Sequence, residues 1–348
     1  MHLALLRSSG VVTWETGSAW QGRPVTLARH RPISRRGALG VLGGLGLLGS
    51  LGAGALGLLT TLRGGSPSAK VLPGTIRDVE TCDGLTGEWW VPPTLTGLLP
   101  TVVLVHGGYW RAGYDRSLEN PVAADLCGRG FLVWNIDYRS SATPWPATLT
   151  DVAAGYDHLL HGRHAGRVDP ARVAVVGHSA GGQLALWLGS RTRLPAGAPG
   201  VVAAAAGPGA VAATPGTVAA ASAPGVVVGG PPVALVVAQA PVASFVRAAR
   251  EKLGSGAVDA LLGGSPAEQG ERLAIADPMA LLPSGTRTVL IHGSDDDTVP
   301  ISQSQDYVAA ATAKNGVAHL VTVPGGHFEH LDPTSRACAA LRDALSTL

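Results

Sequence analysis

From Val71 onward, short apolar runs alternate with longer stretches in which apolar residues recur at helical spacing. That rhythm predicts an α/β layered domain. The runs GEWWV (87–91), TVVLVH (101–106), FLVWNID (131–137), RVAVVG (172–177), VALVVAQ (233–239), TVLIHG (288–293) and HLVTVP (319–324) are the expected strands. Several are apolar at consecutive positions instead of alternating, as strands buried on both faces of a mostly parallel sheet must be. Helices are expected near 117–128, 148–161, 180–190, 303–315 and 334–347. No internal repeat is visible.

Two stretches break the rhythm. Residues 38–62 carry no charged side chain and are long enough to cross a hydrocarbon core as a helix, although eight of them are glycine. Ser34-Arg35-Arg36 stands just ahead, and SPSAK (66–70) offers small residues for cleavage. The arrangement resembles a twin-arginine export signal, with Gly37 and Ala38 where a bulkier pattern is usual. Export out of the cytoplasm is the expectation, and a retained single-span anchor the alternative. Residues 1–33 form a basic extension without a hydrophobic period, as a start site set too far upstream would give. The second stretch, residues 194–246, is also uncharged, but eight prolines interrupt it, so it is not read as a span. Its part from about 195 to 230 is an Ala/Gly/Pro-rich surface insertion in a catalytic domain expected over 70–348.

Composition sharpens this picture at three points. The chain has 348 residues, 46% hydrophobic and 14% charged, so a large core is available and general disorder is excluded. The formal charge of +2 is a sum of unlike parts: seven arginines and one acid fall in residues 1–69, leaving 19 basic and 23 acidic residues, a net of −4, in 70–348. An acidic body without a basic face gives no footing for nucleic acid. Cys82, Cys127 and Cys338 form no CxxC pair, so neither a zinc site nor a redox motif is expected.

The chemistry concentrates where expected strands end. Gly177-His178-Ser179-Ala180-Gly181 is a G-x-S-x-G pattern between a strand and a helix. A turn this tight needs small residues two positions either side of the serine, and it lifts the hydroxyl clear of its own backbone. The Ala180 N–H, at the helix start, is left free to meet a developing anion. His106-Gly107-Gly108 follows the 101–106 strand, and its glycines let main chain approach a substrate oxygen; Gly108 and Tyr109 N–H groups are the further candidate donors. Trp110 beside them is a candidate pocket wall, with packing the alternative. SDDDTVP (294–300) offers a carboxylate to orient an imidazole, and Asp295 and Asp296 both fit that role; consecutive acids diverge too much to converge on a metal. His327, after the Gly-Gly of VPGGHFEHLDP (323–333), is the candidate base, with His330 its competitor.

The order Ser179, Asp296, His327, together with NIDYR (135–139), WPATLTDVAAGYDHL (145–159) and ADPMALLP (276–283), resembles the α/β-hydrolase superfamily over roughly residues 75–348. Within it, the HGGxW segment resembles small esterases and arylformamidase-like members. The resemblance implies an α/β-hydrolase fold, a mostly parallel sheet with helices on both faces. It also implies Asp296 as the acid, four residues beyond the histidine of IHGSDDDTVP. The activity it implies is cleavage of a small-molecule carboxylic ester through an acyl-enzyme, needing no cofactor or metal. Amide cleavage, as by an arylformamidase or a prolyl-oligopeptidase-like peptidase, is the alternative, and an inactive exported binding protein the more distant one.

Overall fold

A computed structural model of the chain describes residues 71–202 and 229–348. The expected signal or anchor, with its apolar run 38–62, lies outside the described residues, as does 203–228 of the expected insertion. Among the described residues no helix is long and apolar enough to cross a membrane.

Eight strands form one sheet: β1 (Ile76–Cys82), β2 (Leu85–Val91), β3 (Leu99–Val105), β4 (Leu132–Ile136), β5 (Val168–His178), β6 (Leu235–Gln239), β7 (Thr288–Gly293) and β8 (Ala318–Val323). Their spatial order is β1-β2-β4-β3-β5-β6-β7-β8. β1 pairs with β2, and β2 with β4, antiparallel, while every pair from β4 to β8 is parallel. The seven runs read as strands all appear. β1 is the addition, an edge hairpin partner whose residues are mostly exposed.

Adjacent residues on a strand face opposite sides, and the two cores follow that alternation. Trp89, Val103, Val105, Trp134 and Val175 point to one side, under α2 (Ala147–Asp157) and α3 (Ala180–Leu188). Trp90, Val102, Leu104, Val133 and Val176 point to the other, under α1 (Asn120–Gly128) and a C-terminal helix, Arg336–Leu345. Burying an aromatic of this size contributes on the order of 2–3 kcal/mol, so the paired tryptophans 89 and 90 anchor both layers from neighbouring positions.

Three short helices, α4 (Phe245–Arg250), α5 (Ala257–Leu262) and α6 (Gly270–Ala276), lie between β6 and β7; α7 (Ser302–Ala313) precedes β8, and α8 is the C-terminal helix Arg336–Leu345. The described ends of the insertion are tied to one buried ion pair. Arg191 and Asp157 meet at 2.7 Å, Gly230 N–H donates to Asp157 Oδ1 at 2.6 Å, and Arg191 Nε donates to Gly200 O at 2.5 Å.

Register decides where chemistry can gather. Val105 of β3 lies beside Gly177 of β5, His178 beside Gln239 of β6, and Gly293 of β7 beside Val323 of β8. The loops 106–110, 178–180, 294–300 and 324–327 therefore all leave the carboxyl edge of the parallel strands, the side on which open α/β sheets carry their ligand crevices.

Candidate active site

Ser179 stands between β5 and α3 with φ 58° and ψ −118°, a left-handed backbone that a side chain rarely adopts. Crowding explains why the flanking positions are glycine. A Cβ on Gly177 would overlap Gly181 O, and one on Gly181 would overlap Val105 O. The strain, on the order of 1–3 kcal/mol, is held by main-chain bonds: Ser179 N–H donates to Gln239 O at 2.8 Å, and Ser179 O accepts from Gln183 and Val242 N–H at 3.2 and 3.3 Å.

The acid and the imidazole meet across two other loops. Asp296 Oδ2 accepts from His327 Nδ1 at 2.7 Å. Asp296 Oδ1 accepts from the N–H groups of Thr298 and Val299, at 2.9 and 2.8 Å. Since the carboxylate can only accept, His327 carries its proton on Nδ1 and turns a basic Nε2 outward. Burial opposes ionisation of Asp296, but hydrogen bonds from His292, His327 and the Val299 N–H outweigh it and hold the carboxyl well below the usual carboxylate range. Asp295, the alternative acid, instead accepts from Ser294 Oγ and Gly325 N–H at 3.0 and 3.3 Å.

His327 reaches the serine loop through its neighbour. His178 Nε2–H donates to His327 O at 2.8 Å, and the two rings are 4.6 Å apart. No hydrogen bond joins Ser179 Oγ to His327 Nε2 among the described residues; bonds of this kind often tighten only when substrate is bound. His330, the competing histidine, is buried beneath His178 at 5.6 Å. Burial pushes it down to about 3, so it is a neutral packing group.

The glycine loop lies against the serine. A Cβ on Gly107 would be 3.1 Å from Ser179 Cβ. Gly108 has φ 109°, where a Cβ would run into the Tyr114 ring, and Tyr109 and Trp110 follow with φ 52° and 55°. The main-chain N–H groups of Gly108, Tyr109 and Ala180 find no main-chain acceptor among the described residues. His106 supports the loop from below: its Nδ1–H donates to Gly107 O at 2.7 Å and its ring stacks on Tyr138 at 4.2 Å. Trp110 is fully buried, edge-on to Phe245, and its Nε1–H donates to Gln183 Oε1 at 3.0 Å. Its indole therefore braces the loop from inside the core.

Two supports escape sequence reading. His292 marks the spacing to the acid, but its environment is tertiary: Nε2–H donates to Val299 O at 2.8 Å and lies 3.3 Å from Asp296 Oδ2, while Nδ1 accepts from Ser304 Oγ at 2.7 Å. Gln183, one turn beyond the serine, joins Trp110 to α6, with its Nε2 donating to Ala276 O at 2.9 Å. A buried polar residue on an apolar helix is the available signal for it. Among the described residues no group of histidine, cysteine or acidic side chains is arranged to hold a metal ion.

The strand order, the strained serine turn and the loops at the carboxyl edge define an α/β-hydrolase fold. Residues 88–310, well over half of the chain, match the BD-FAE family model, and the chain belongs to that family. Among curated proteins it is 36% identical over 125 residues to the carboxylesterase NlhH of Mycobacterium tuberculosis, covering 34% of this chain and 38% of that protein. It is 33% identical over 118 residues to the esterase LipI of the same organism, covering 33% of this chain and 36% of LipI. The matched segment thus spans little more than a third of either relative. Among solved structures, esterase B from Lactobacillus Rhamnosis superposes with a TM-score of 0.65 at 20% identity, over 85% of this chain and 90% of that one. A carbohydrate esterase from gut microbiota gives 0.64 at 20%, over 81% and 99%.

Proposed function

We propose that the protein is a serine hydrolase that cleaves a small-molecule carboxylic ester through an acyl-enzyme, with Ser179 as nucleophile, His327 as base and Asp296 as its orienting acid. The observation that carries this reading is the 2.7 Å bond from His327 Nδ1 to a buried, low-pKa Asp296, beside a serine held in a strained turn. His327 Nε2 takes the Ser179 proton as Oγ attacks the substrate carbonyl carbon. The carbonyl electrons move onto its oxygen, where the N–H groups of Tyr109 and Ala180, with Gly108, face the charge; one such donor contributes about 2.7–4 kcal/mol. His327 then gives its proton to the departing alcohol, and water repeats the attack on the acyl-enzyme. The esterase names of the curated relatives favour an ester over an amide.

Wild type and Ser179→Ala are to be compared on p-nitrophenyl acetate and butyrate, N-formylkynurenine and a proline-containing peptide. The expected result is turnover of the short esters, lost by more than about 1,000-fold in the variant with the fold intact. Preference for the formamide or the peptide moves the assignment to an amide-cleaving relative, and equal rates in the two proteins remove the serine mechanism. Export is a further part of the proposal, on Ser34-Arg35-Arg36 and the run 38–62. Fractionation of cells carrying the full chain and an Arg35→Lys, Arg36→Lys variant tests it, with retention of the variant in the cytoplasm expected.

A further inference from the structure

The glycine loop holds two consecutive side-chain-bearing residues in the left-handed region, Tyr109 and Trp110. Backbone of this kind persists only where its surroundings hold it. Trp110 is held inward by Gln183. Tyr109 is held sideways: its hydroxyl donates to Thr298 O at 2.9 Å, across 189 positions of sequence. Gly254 packs against the ring, so close that a Cβ there would be 2.5 Å from Tyr109 Cδ1.

The acceptor is the informative part. Thr298 C=O and Val299 N–H belong to one peptide unit, and that N–H donates to Asp296 Oδ1 at 2.8 Å. A donor on the carbonyl polarises the unit and strengthens its N–H as a donor. One side chain therefore runs from a candidate anion-binding N–H, its own, to the peptide that grips the acid. Burial pushes the hydroxyl up to about 12, so it remains a proton donor across the working pH range.

We infer that the Tyr109 phenol is a positioning residue that bridges the anion-binding loop to the Asp296 loop, fixing the distance between the N–H groups that meet the oxyanion and the histidine–aspartate pair. The inference rests on the serine hydrolase reading above for its catalytic meaning.

Tyr109→Phe keeps the ring on Gly254 and removes the hydroxyl alone. Two measurements on the full chain test it: kcat and KM on p-nitrophenyl acetate per phosphonate-titrated site, and amide hydrogen exchange of segments 107–111 and 296–301 in the unliganded protein. The expected result is a kcat lowered about five- to tenfold, KM within twofold, and faster exchange in both segments together. A kcat within twofold of wild type, a rise in KM alone, or unchanged exchange at 296–301 overturns the bridge. Should the wild-type protein neither turn over the ester nor react with the phosphonate, the hydrolase reading fails, while the exchange comparison still decides whether Tyr109 joins the loops.

Discussion

Around Asp296 the polar atoms are satisfied, with two main-chain N–H groups on one oxygen and His327 on the other, while His292 closes the far side. Elsewhere along the carboxyl edge, the loop 107–110 and the turn at Ser179 are finished the opposite way. There the backbone is left-handed at Gly108, Tyr109, Trp110 and Ser179, and N–H groups point at no main-chain partner. Under the proposed mechanism, the contrast follows from when charge arises. A carboxylate that is charged throughout needs its donors built in, whereas an anion that exists only in the transition state needs donors kept vacant until it forms. Strain at Tyr109 and Trp110 is tolerable because Trp110 is anchored on buried Gln183 and Tyr109 on Thr298.

Breaking the satisfied side is expected to have the largest effect. Asp296→Asn presents an amide N–H or a neutral oxygen to His327 and permits the wrong tautomer, so kcat is expected to fall on the order of 1,000-fold or more. The same variant sharpens the electrostatic argument. The native carboxyl is depressed, so its contribution to stability is complete above the ordinary aspartate range near pH 4 and is lost as pH falls through it. Thermal melts of wild type should therefore drop more steeply below about pH 4 than those of Asp296→Asn; parallel curves would mean that the acid is not held as described.

Loosening the strained side should matter less. Trp110→Phe leaves Gln183 Oε1 buried without a donor, a cost of about 1–3 kcal/mol, and frees the loop to relax. A melting temperature lowered by roughly 2–8 °C is expected, with kcat reduced several-fold and KM changed less. An unaltered kcat would separate the indole from the anion-binding loop.

The smallest effect tests a group on neither side. Glu119 is fully buried with both carboxyl oxygens unpartnered among the described residues, and burial pushes it up to about 8. The unfolded chain ionises this residue near pH 4 and the folded one does not, so its contribution to stability falls as pH rises between those values. Glu119→Gln removes that slope. Its melting temperature should gain on wild type by a few degrees more at pH 8 than at pH 5, with ester turnover little changed. Equal differences at the two pH values would show that the carboxyl has a partner.

Legibility followed the same physics. Central strands such as TVVLVH and RVAVVG are apolar at consecutive positions because both faces are covered, and this makes them visible without any partner in view. The edge strand β1 was not visible: IRDVETC mixes apolar and charged residues, and its pairing is supplied by Arg77 on Glu88 and Glu80 on Trp89. Helices α4 to α6 were missed for a different reason. Each has only six or seven residues, too short for a helical period to repeat, and left-handed Lys252, Gly254 and Gly256 interrupt the segment. At the candidate site, glycines and the reactive side chains announce themselves, since few other structures need them together. The preference for Asp296 over Asp295 rests on resemblance; among the described residues Asp296 accepts from His327, whereas Asp295 accepts from Ser294 and Gly325. The roles of His292, Gln183 and the Tyr109 hydroxyl depend on partners far along the chain, and no local pattern encodes them.

The measurement that bears most directly on the central claim is covalent labelling by a fluorophosphonate, with the modified residue located by peptide mass spectrometry. One equivalent per chain is expected, on the peptide that contains Ser179, with its loss in His327→Gln. Labelling at another residue, or undiminished labelling of Ser179 without the imidazole, would contradict it.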